Sequence, residues 1–432
     1  MLKYLAQIWN SKDLRNKILF SIGILVLYRL IAHIPVPGVD ISGLKALSSR
    51  NELLQMFSML TGGSAENFSI VLMGISPYIN ASVIIQLLTV IVPKLESLSK
   101  EGEQGRKKIN SYTRWLTLPL AFLQSYGMII LLNSQSQTAI ITDTQNLATI
   151  LPIMITLSAG TLLLVWLGEQ ISERGIGNGI SLLIFASIIS GIPEMVGKGL
   201  FLAQEDQEKL IPFTITVLLT IGLITIVILV TEAQRKIPLT YAGSGARSKT
   251  QQAFLPIKIN QAGMIPIIFA VALISFPSII GQFLTNAKSL WLRDFGVTLT
   301  SLFQPGTTLY LTAYFLFVVA FTFFYVSITF NPVQVAENIQ KRGGYIPGIR
   351  PGTQTSDYLA GVSNKLTLFG AFFLGAIALL PIFLQFVFST SALGSVPLLI
   401  SGAGIIIIVG VVLDLIRQVN AQLVMHDYNK FY

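Results

Sequence analysis

Apolar residues in this chain come in long runs separated by short polar stretches, without the alternation of a strand or the stripe of a surface helix. A helix needs about 20 predominantly apolar residues to cross the hydrocarbon core of a bilayer. Ten runs come close to that length: 18–34, 69–92, 115–133, 151–167, 178–196, 211–231, 262–280, 309–330, 366–387 and 396–413. The pattern predicts ten membrane-spanning helices. Pro77, Pro266 and Pro277 fall inside them, which a bundle tolerates because neighbouring helices satisfy the freed carbonyls.

Composition makes the same point about solvent. Of 432 residues, 52% are hydrophobic and 11% charged, where a soluble domain carries about 25% charged. Lipid has to be the solvent for much of the surface. The basic segment 1–17 contains no short apolar stretch ending in a small-residue cleavage site, so the first span itself is expected to direct insertion.

Charge then orients the spans. Of the 29 Lys and Arg, 22 lie in the N-terminal segment, in the loops after even-numbered spans and in the C-terminal tail; the opposite loops hold six. Positive residues collect on the cytoplasmic side, which predicts both termini in the cytoplasm. Ten spans divide into five and five, and an odd number per half makes related halves inverted. The expected organisation is a cytoplasmic segment 1–17, a first half 18–197, an external connection 198–210, a second half 211–413 and a cytoplasmic tail 414–432.

Several segments depart from ordinary spans and loops. Asn51-Glu-Leu-Leu-Gln-Met-Phe-Ser-Met-Leu-Thr-Gly-Gly63 is too short to cross and too apolar to favour water; it fits either a re-entrant segment or an amphipathic helix at the headgroups. Ser76, Asn80 and Gln86 fall toward one side of the second span, where polar groups serve either helix packing or a watery path. Between spans four and five, Gly175-Ile-Gly-Asn-Gly179 resembles a nucleotide loop only superficially, because no strand precedes it; a tight cytoplasmic turn is expected. Loops 232–260 and 331–365 are longer than a helix connection needs. Their basic residues either fix orientation or form a docking surface for acidic partners.

Catalysis finds little support. There is no cysteine, and His33 and His426 lie near opposite ends of the chain. No His-Glu-x-x-His, Gly-x-Ser-x-Gly or Walker A pattern occurs. A secondary transporter would also use inverted halves, but it needs charges or ion ligands at mid-membrane; Arg29 is left within the first span, Glu169 and Asp414 lie at span ends, and no buried carboxylate pair suggests itself. No catalytic residue, cofactor or metal is expected.

The chain resembles the SecY family, the channel subunits of the protein-export translocon. The resemblance rests on Ile34-Pro-Val-Pro-Gly38, on Gly74-Ile-Ser-Pro-Tyr-Ile-Asn-Ala-Ser-Val-Ile-Ile-Gln-Leu-Leu88, and on the stretch from Trp166 to Ser181. It continues in Leu255-Pro-Ile-Lys-Ile-Asn260, Ala262-Gly-Met-Ile-Pro-Ile-Ile-Phe269, Phe330-Asn-Pro332 and Gly344-Tyr-Ile-Pro-Gly-Ile-Arg-Pro-Gly352.

This resemblance implies an all-α membrane protein with two inverted five-helix halves around an hourglass pore, working as a passive protein-conducting channel. It implies a pore ring at Ile75, Ile79, Ile180, Ile184, Ile268 and Ile407. It implies a plug over 53–66, with Leu53, Leu54, Met56, Phe57, Met59, Leu60, Gly62 and Gly63. A lateral gate would hold Asn80, Gln86 and Phe276, with spans two and three facing seven and eight. Arg247, Lys249, Lys258 and Arg350 would dock SecA or the ribosome, although Thr240-Tyr-Ala-Gly-Ser-Gly245 replaces the family's denser charge in the first docking loop. Implied partners are small SecE-like and SecG-like membrane subunits, signal peptides, unfolded preproteins and lipid. The implied location is a bacterial plasma membrane, with a plastid thylakoid as the alternative.

Overall fold

A computed structural model describes residues 9, 11–39, 67–135, 146–205, 207–241, 253–285, 289–304, 306–389 and 401–430. Among them, in chain order, run α1 (Lys12–Ile31), α2 (Ser76–Ile91), α3 (Pro93–Lys100), α4 (Glu103–Gln135), α5 (Leu147–Arg174), α6 (Gly179–Glu205) and α7 (Gln207–Glu232). There follow β1 (Gln234–Tyr241), β2 (Ala253–Lys258), α8 (Ile265–Thr285), α9 (Leu290–Leu302), α10 (Thr308–Thr329), α11 (Pro332–Lys341), β3 (Gly344–Tyr345), α12 (Thr353–Ser389) and α13 (Gly402–Lys430).

The ten predicted spans fall in order on α1, α2, α4, α5, α6, α7, α8, α10, α12 and α13. Of these, α5, α6, α7, α10, α12 and α13 are by themselves long and apolar enough to cross a membrane. The pair α2 and α3 meets the same test together but bends by 101° at its break, and α8 contributes a shorter apolar stretch, Ile265–Gly281.

Three helices extend well beyond their hydropathy runs. α4 starts at Glu103 rather than 115, α12 at Thr353 rather than 366, and α13 runs to Lys430 rather than 413. Hydropathy sees only the lipid-facing length, whereas Glu, Gln, Lys and Arg are good helix formers and carry the helix onward into water.

Contacts divide the chain into two compact units. The first holds Met1–Leu210, Ser275–Gln304 and Ile407–Tyr432; the second holds Ile211–Ile274 and Pro305–Ile406. In the first unit α4 packs on α2 and α5, α5 on α6, and α1 on α5 and α6.

One end of the first unit is closed by a cluster of Val36, Phe68, Leu72, Met73, Ile129, Leu132, Ile150, Ile153 and Leu157. The Ile34-Pro-Val-Pro-Gly38 motif explains how the chain reaches it. Pro35 and Pro37 hold the segment extended, and the Val36 N–H between them donates to the Phe68 carbonyl at 2.9 Å. The Ser69 hydroxyl donates to the Ile31 carbonyl at 3.1 Å, which ties residues 67–75 to the end of α1. This docking is why α2 begins at Ser76 and not at 69. The opposite end of α1 carries Leu14, packed with Ile176 and Leu423.

The second unit contains an element that the reading of loops did not foresee. β1 pairs with β2 antiparallel from Gln234↔Lys258 to Leu239↔Ala253, and with β3 at Thr240↔Tyr345 and Tyr241↔Gly344. The strand order is β2-β1-β3, so both long loops contribute to one sheet. Its inner face, Ile237, Leu239 and Ile257, packs on Ala336 and Ile339 of α11 and on Leu359 and Val362 of α12. The alternation Ile237, Leu239, Tyr241 was the available signal, and it is short enough to be hidden beside long spans.

Candidate functional site

The residues assigned to the pore ring lie on three helices of the first unit and one of the second. Ile75 precedes the first turn of α2 and is buried. Ile79 follows one turn later, its N–H donating to the Ile75 carbonyl at 3.0 Å, and is half-buried. Ile180 and Ile184 sit one turn apart on α6 and are both half-buried. Residues four apart share a face of a helix, so each pair forms one apolar ledge. Ile268 stands half-buried on α8 in the second unit, and Ile407 is buried on α13 in the first.

The turn that launches α6 is built from small residues for a steric reason. A Cβ at Gly179 would strike the Gly168 carbonyl oxygen on α5, and one at Gly168 would come within 2.7 Å of Ile180 Cδ1. Ser172 Oγ donates to the Gly168 carbonyl at 3.0 Å and accepts from the Gly179 N–H at 2.9 Å. Gly177 adopts φ +90°, a conformation that side chains with a Cβ resist. The glycines therefore fit a close backbone crossing that sets the depth and direction of Ile180 and Ile184. No phosphate cradle is needed to explain them.

The same turn is fastened to α1. Ser21 Oγ accepts from the Ile176 N–H at 3.0 Å and donates to the Lys17 carbonyl at 3.0 Å. Nearby, Arg114 of α4 pairs with Glu169 of α5, Nε to Oε1, at 2.8 Å. Glu169 thus belongs to a link between two helices.

Of the gate assignments, Asn80 on α2 is 1% exposed, and neither its Oδ1 nor its Nδ2 has a hydrogen-bond partner among the described residues. Leaving a buried amide unpaired costs about 1–3 kcal/mol. Gln86 donates through Nε2 to Ser82 Oγ at 3.3 Å, one turn back on the same helix. Phe276 is half-buried on α8 and falls in the first unit with Asn80.

Of the docking assignments, Arg350 is exposed on the loop after β3. That loop is pinned on both sides of it. Ile346 is buried in the second unit's core, and Thr355 Oγ1 donates to the Arg350 carbonyl at 2.9 Å. Lys258 ends β2 opposite Gln234 and is half-buried, while Arg235 and Lys236 on β1 are exposed. Both belong to the basic loop 232–260 that the sequence offers as a docking surface, and the sheet places them on a strand. Arg247, Lys249 and the whole plug segment 53–66 lie outside the described residues.

Comparison with known proteins agrees with this architecture. The family model described as SecY matches residues 69–416. The protein translocase subunit SecY of Pseudomonas aeruginosa is 40% identical over 410 residues, covering 94% of this chain and 90% of the relative. The Aquifex aeolicus protein of the same name is 38% identical over 441 residues, covering 100% of this chain and 99% of its own.

Among solved structures, that of a protein conducting channel superposes with a TM-score of 0.64 at 19% identity, covering 94% of this chain and 92% of that one. Sec61 in the canine ribosome-channel complex gives 0.61 at 18% identity, with coverage of 94% and 92%. The chain has the fold of these channels. With the family model spanning most of its length and relatives near 40% identity matching it end to end, the chain belongs to the SecY family.

Proposed function

We propose that this chain forms the pore of a protein translocase, passing unfolded secretory proteins across the membrane and releasing membrane-protein helices sideways into lipid. The observation that carries the reading is the SecY match over residues 69–416 on a chain with the channel fold. It is a channel subunit and not an enzyme, so the driving energy comes from a partner, either the ATPase SecA or a translating ribosome. SecE-like and SecG-like subunits complete the assembly.

The proposed ring of Ile75, Ile79, Ile180, Ile184, Ile268 and Ile407 suits this task physically. Branched aliphatic side chains dewet a narrow pore and block ions. They make no directional bonds, so they yield around a passing chain. The plug at 53–66 adds a second seal. Two inverted five-helix halves, 18–197 and 211–413, would part along a gate bearing Asn80, Gln86 and Phe276. Arg350, Lys258, Arg247 and Lys249 would receive the driving partner, and the sheet supports this by holding both docking loops on one rigid core.

The location that fits best is a bacterial plasma membrane with both termini in the cytoplasm. Leu14 near the start of α1, Ile176 in the turn after α5 and Leu423 near the end of α13 pack together. This puts both terminal helices and that turn at one end of the first unit, the end that charge assigns to the cytoplasm.

Reconstitution tests the reading. Proteoliposomes holding the chain with its small subunits should protect a secretory precursor from external protease only when SecA and ATP are present. Uptake of small solutes driven by an ion gradient, with no precursor protected, would point to a transporter instead.

A further inference from the structure

The connection between α8 and α10 contains a helix, α9, that turns back along the end of α8. Ser278 Oγ on α8 donates to the Phe303 carbonyl just beyond α9, at 3.1 Å. Gly281 faces Gly296 so closely that a Cβ on Gly281 would lie 2.9 Å from the Gly296 carbonyl oxygen, and one on Gly296 would lie 2.7 Å from the Gly281 oxygen. Two glycines in register let the backbones of α8 and α9 touch. The apolar stretch of α8, Ile265–Gly281, ends at this contact. α9 is therefore held beside the end of the apolar stretch of α8.

One face of α9 is glycine and packs on α8. Another shows Trp291, Phe295 and Leu302, which are 73%, 49% and 45% exposed. Their spacing places them along a single side of the helix. The Trp291 and Phe295 rings stack, with centroids 6.1 Å apart and planes inclined by 15°. Arg293 and Asp294 are exposed off this stripe. Large aromatic residues on one face and charges on another are the pattern of a helix lying at the headgroup–acyl boundary, where tryptophan concentrates.

We infer that α9 is a membrane-interface anchor whose Trp291–Phe295–Leu302 stripe inserts into the adjacent lipid leaflet. The occupant of this face is lipid, because the neighbouring α8 fixes the helix at interfacial depth. The inference rests on α8 being a span of the proposed channel.

The absence of native cysteine allows a direct measurement. Single nitroxide labels at Phe295→Cys, Leu302→Cys, Arg293→Cys and Ile280→Cys in the full chain would be read in nanodiscs of phosphatidylethanolamine and phosphatidylglycerol. Ile280 is an exposed position within the apolar stretch of α8 and serves as the depth reference. The expected result is collision with oxygen favoured over the water-soluble nickel chelate at positions 295, 302 and 280, and the reverse at 293. Nickel access at 295 and 302 with oxygen preference at 280 would overturn the anchor while leaving α8 in the membrane. Exclusion of both probes at 295 would mean that protein covers the stripe, and it too overturns the proposal. Nickel access at 280 as well would remove the α8 span, and the anchor with it.

Discussion

At the scale of single residues, the chain places glycine where backbones cross and polar groups where a helix has somewhere to attach. Gly179 and Gly168 meet at the start of α6, and a methyl on Gly179 would run into the Gly168 carbonyl. Overpacking of this kind costs about 1–3 kcal/mol. Gly179→Ala should therefore lower the thermal unfolding midpoint in nanodiscs by several degrees and shift Ile180 and Ile184. Gly197 lies on the same helix, and a Cβ there would meet nothing within 4 Å. Gly197→Ala should leave the midpoint unchanged or raise it, since glycine in a helix interior costs about 0.5–1 kcal/mol relative to alanine. A midpoint for Gly179→Ala equal to that of Gly197→Ala would mean that the crossing relaxes freely.

At the scale of elements, the two long loops contribute the strands of one sheet that packs on a core of its own. Ile237, Leu239 and Ile257 bury one face against α11 and α12, and burying such a side chain contributes about 1.5–3 kcal/mol. Stability of this order holds β3, and with it the exposed Arg350, in a fixed place. A planar guanidinium can bind a carboxylate or phosphate through two bonds, which lysine cannot copy. Arg350→Glu should abolish binding of the driving partner and stop export with membrane abundance unchanged, and Arg350→Lys should restore export only in part. Partner binding by sedimentation, read beside precursor export, checks this. Full binding by the glutamate variant would remove Arg350 from the docking surface.

At the scale of the whole molecule, the question is whether transport requires the chain to open sideways. Asn80 is buried with both amide atoms unpartnered among the described residues, a costly arrangement for a helix that never moves. The proposed gate sets Asn80 near Phe276. Two introduced cysteines, Asn80→Cys and Phe276→Cys, have no native thiol background, and a disulfide forms only when the Cα atoms come within about 7 Å. Oxidation should join them and arrest precursor transport, and reduction should restore it. A long flexible crosslinker at the same pair should permit transport. Unchanged transport through an oxidised pair would show that the path does not use this gate; failure to crosslink would show that the two helices are not neighbours.

What the sequence determined by itself was the solvent, the order of the spans and the grouping of charge. Each is a local property: about 20 apolar residues need no tertiary information to prefer lipid, and loop charge orients spans one at a time. The ten runs accordingly fall on ten helices in order. Only the tertiary structure decided where those helices end, because polar helix formers carry α4, α12 and α13 past their apolar stretches. It also decided that residues 234–241, 253–258 and 344–345 form one sheet, a pairing between segments far apart in the chain that no single window contains. The same holds for the site. Ile75 and Ile79, or Ile180 and Ile184, are legible as pairs from helical spacing. That Gly168 fixes Ile180, that Ser21 holds the turn before α6, and that Gly281 seats α9 beside α8 are contacts between separate elements, the second across 155 residues of chain. Such contacts exist only once the chain has packed.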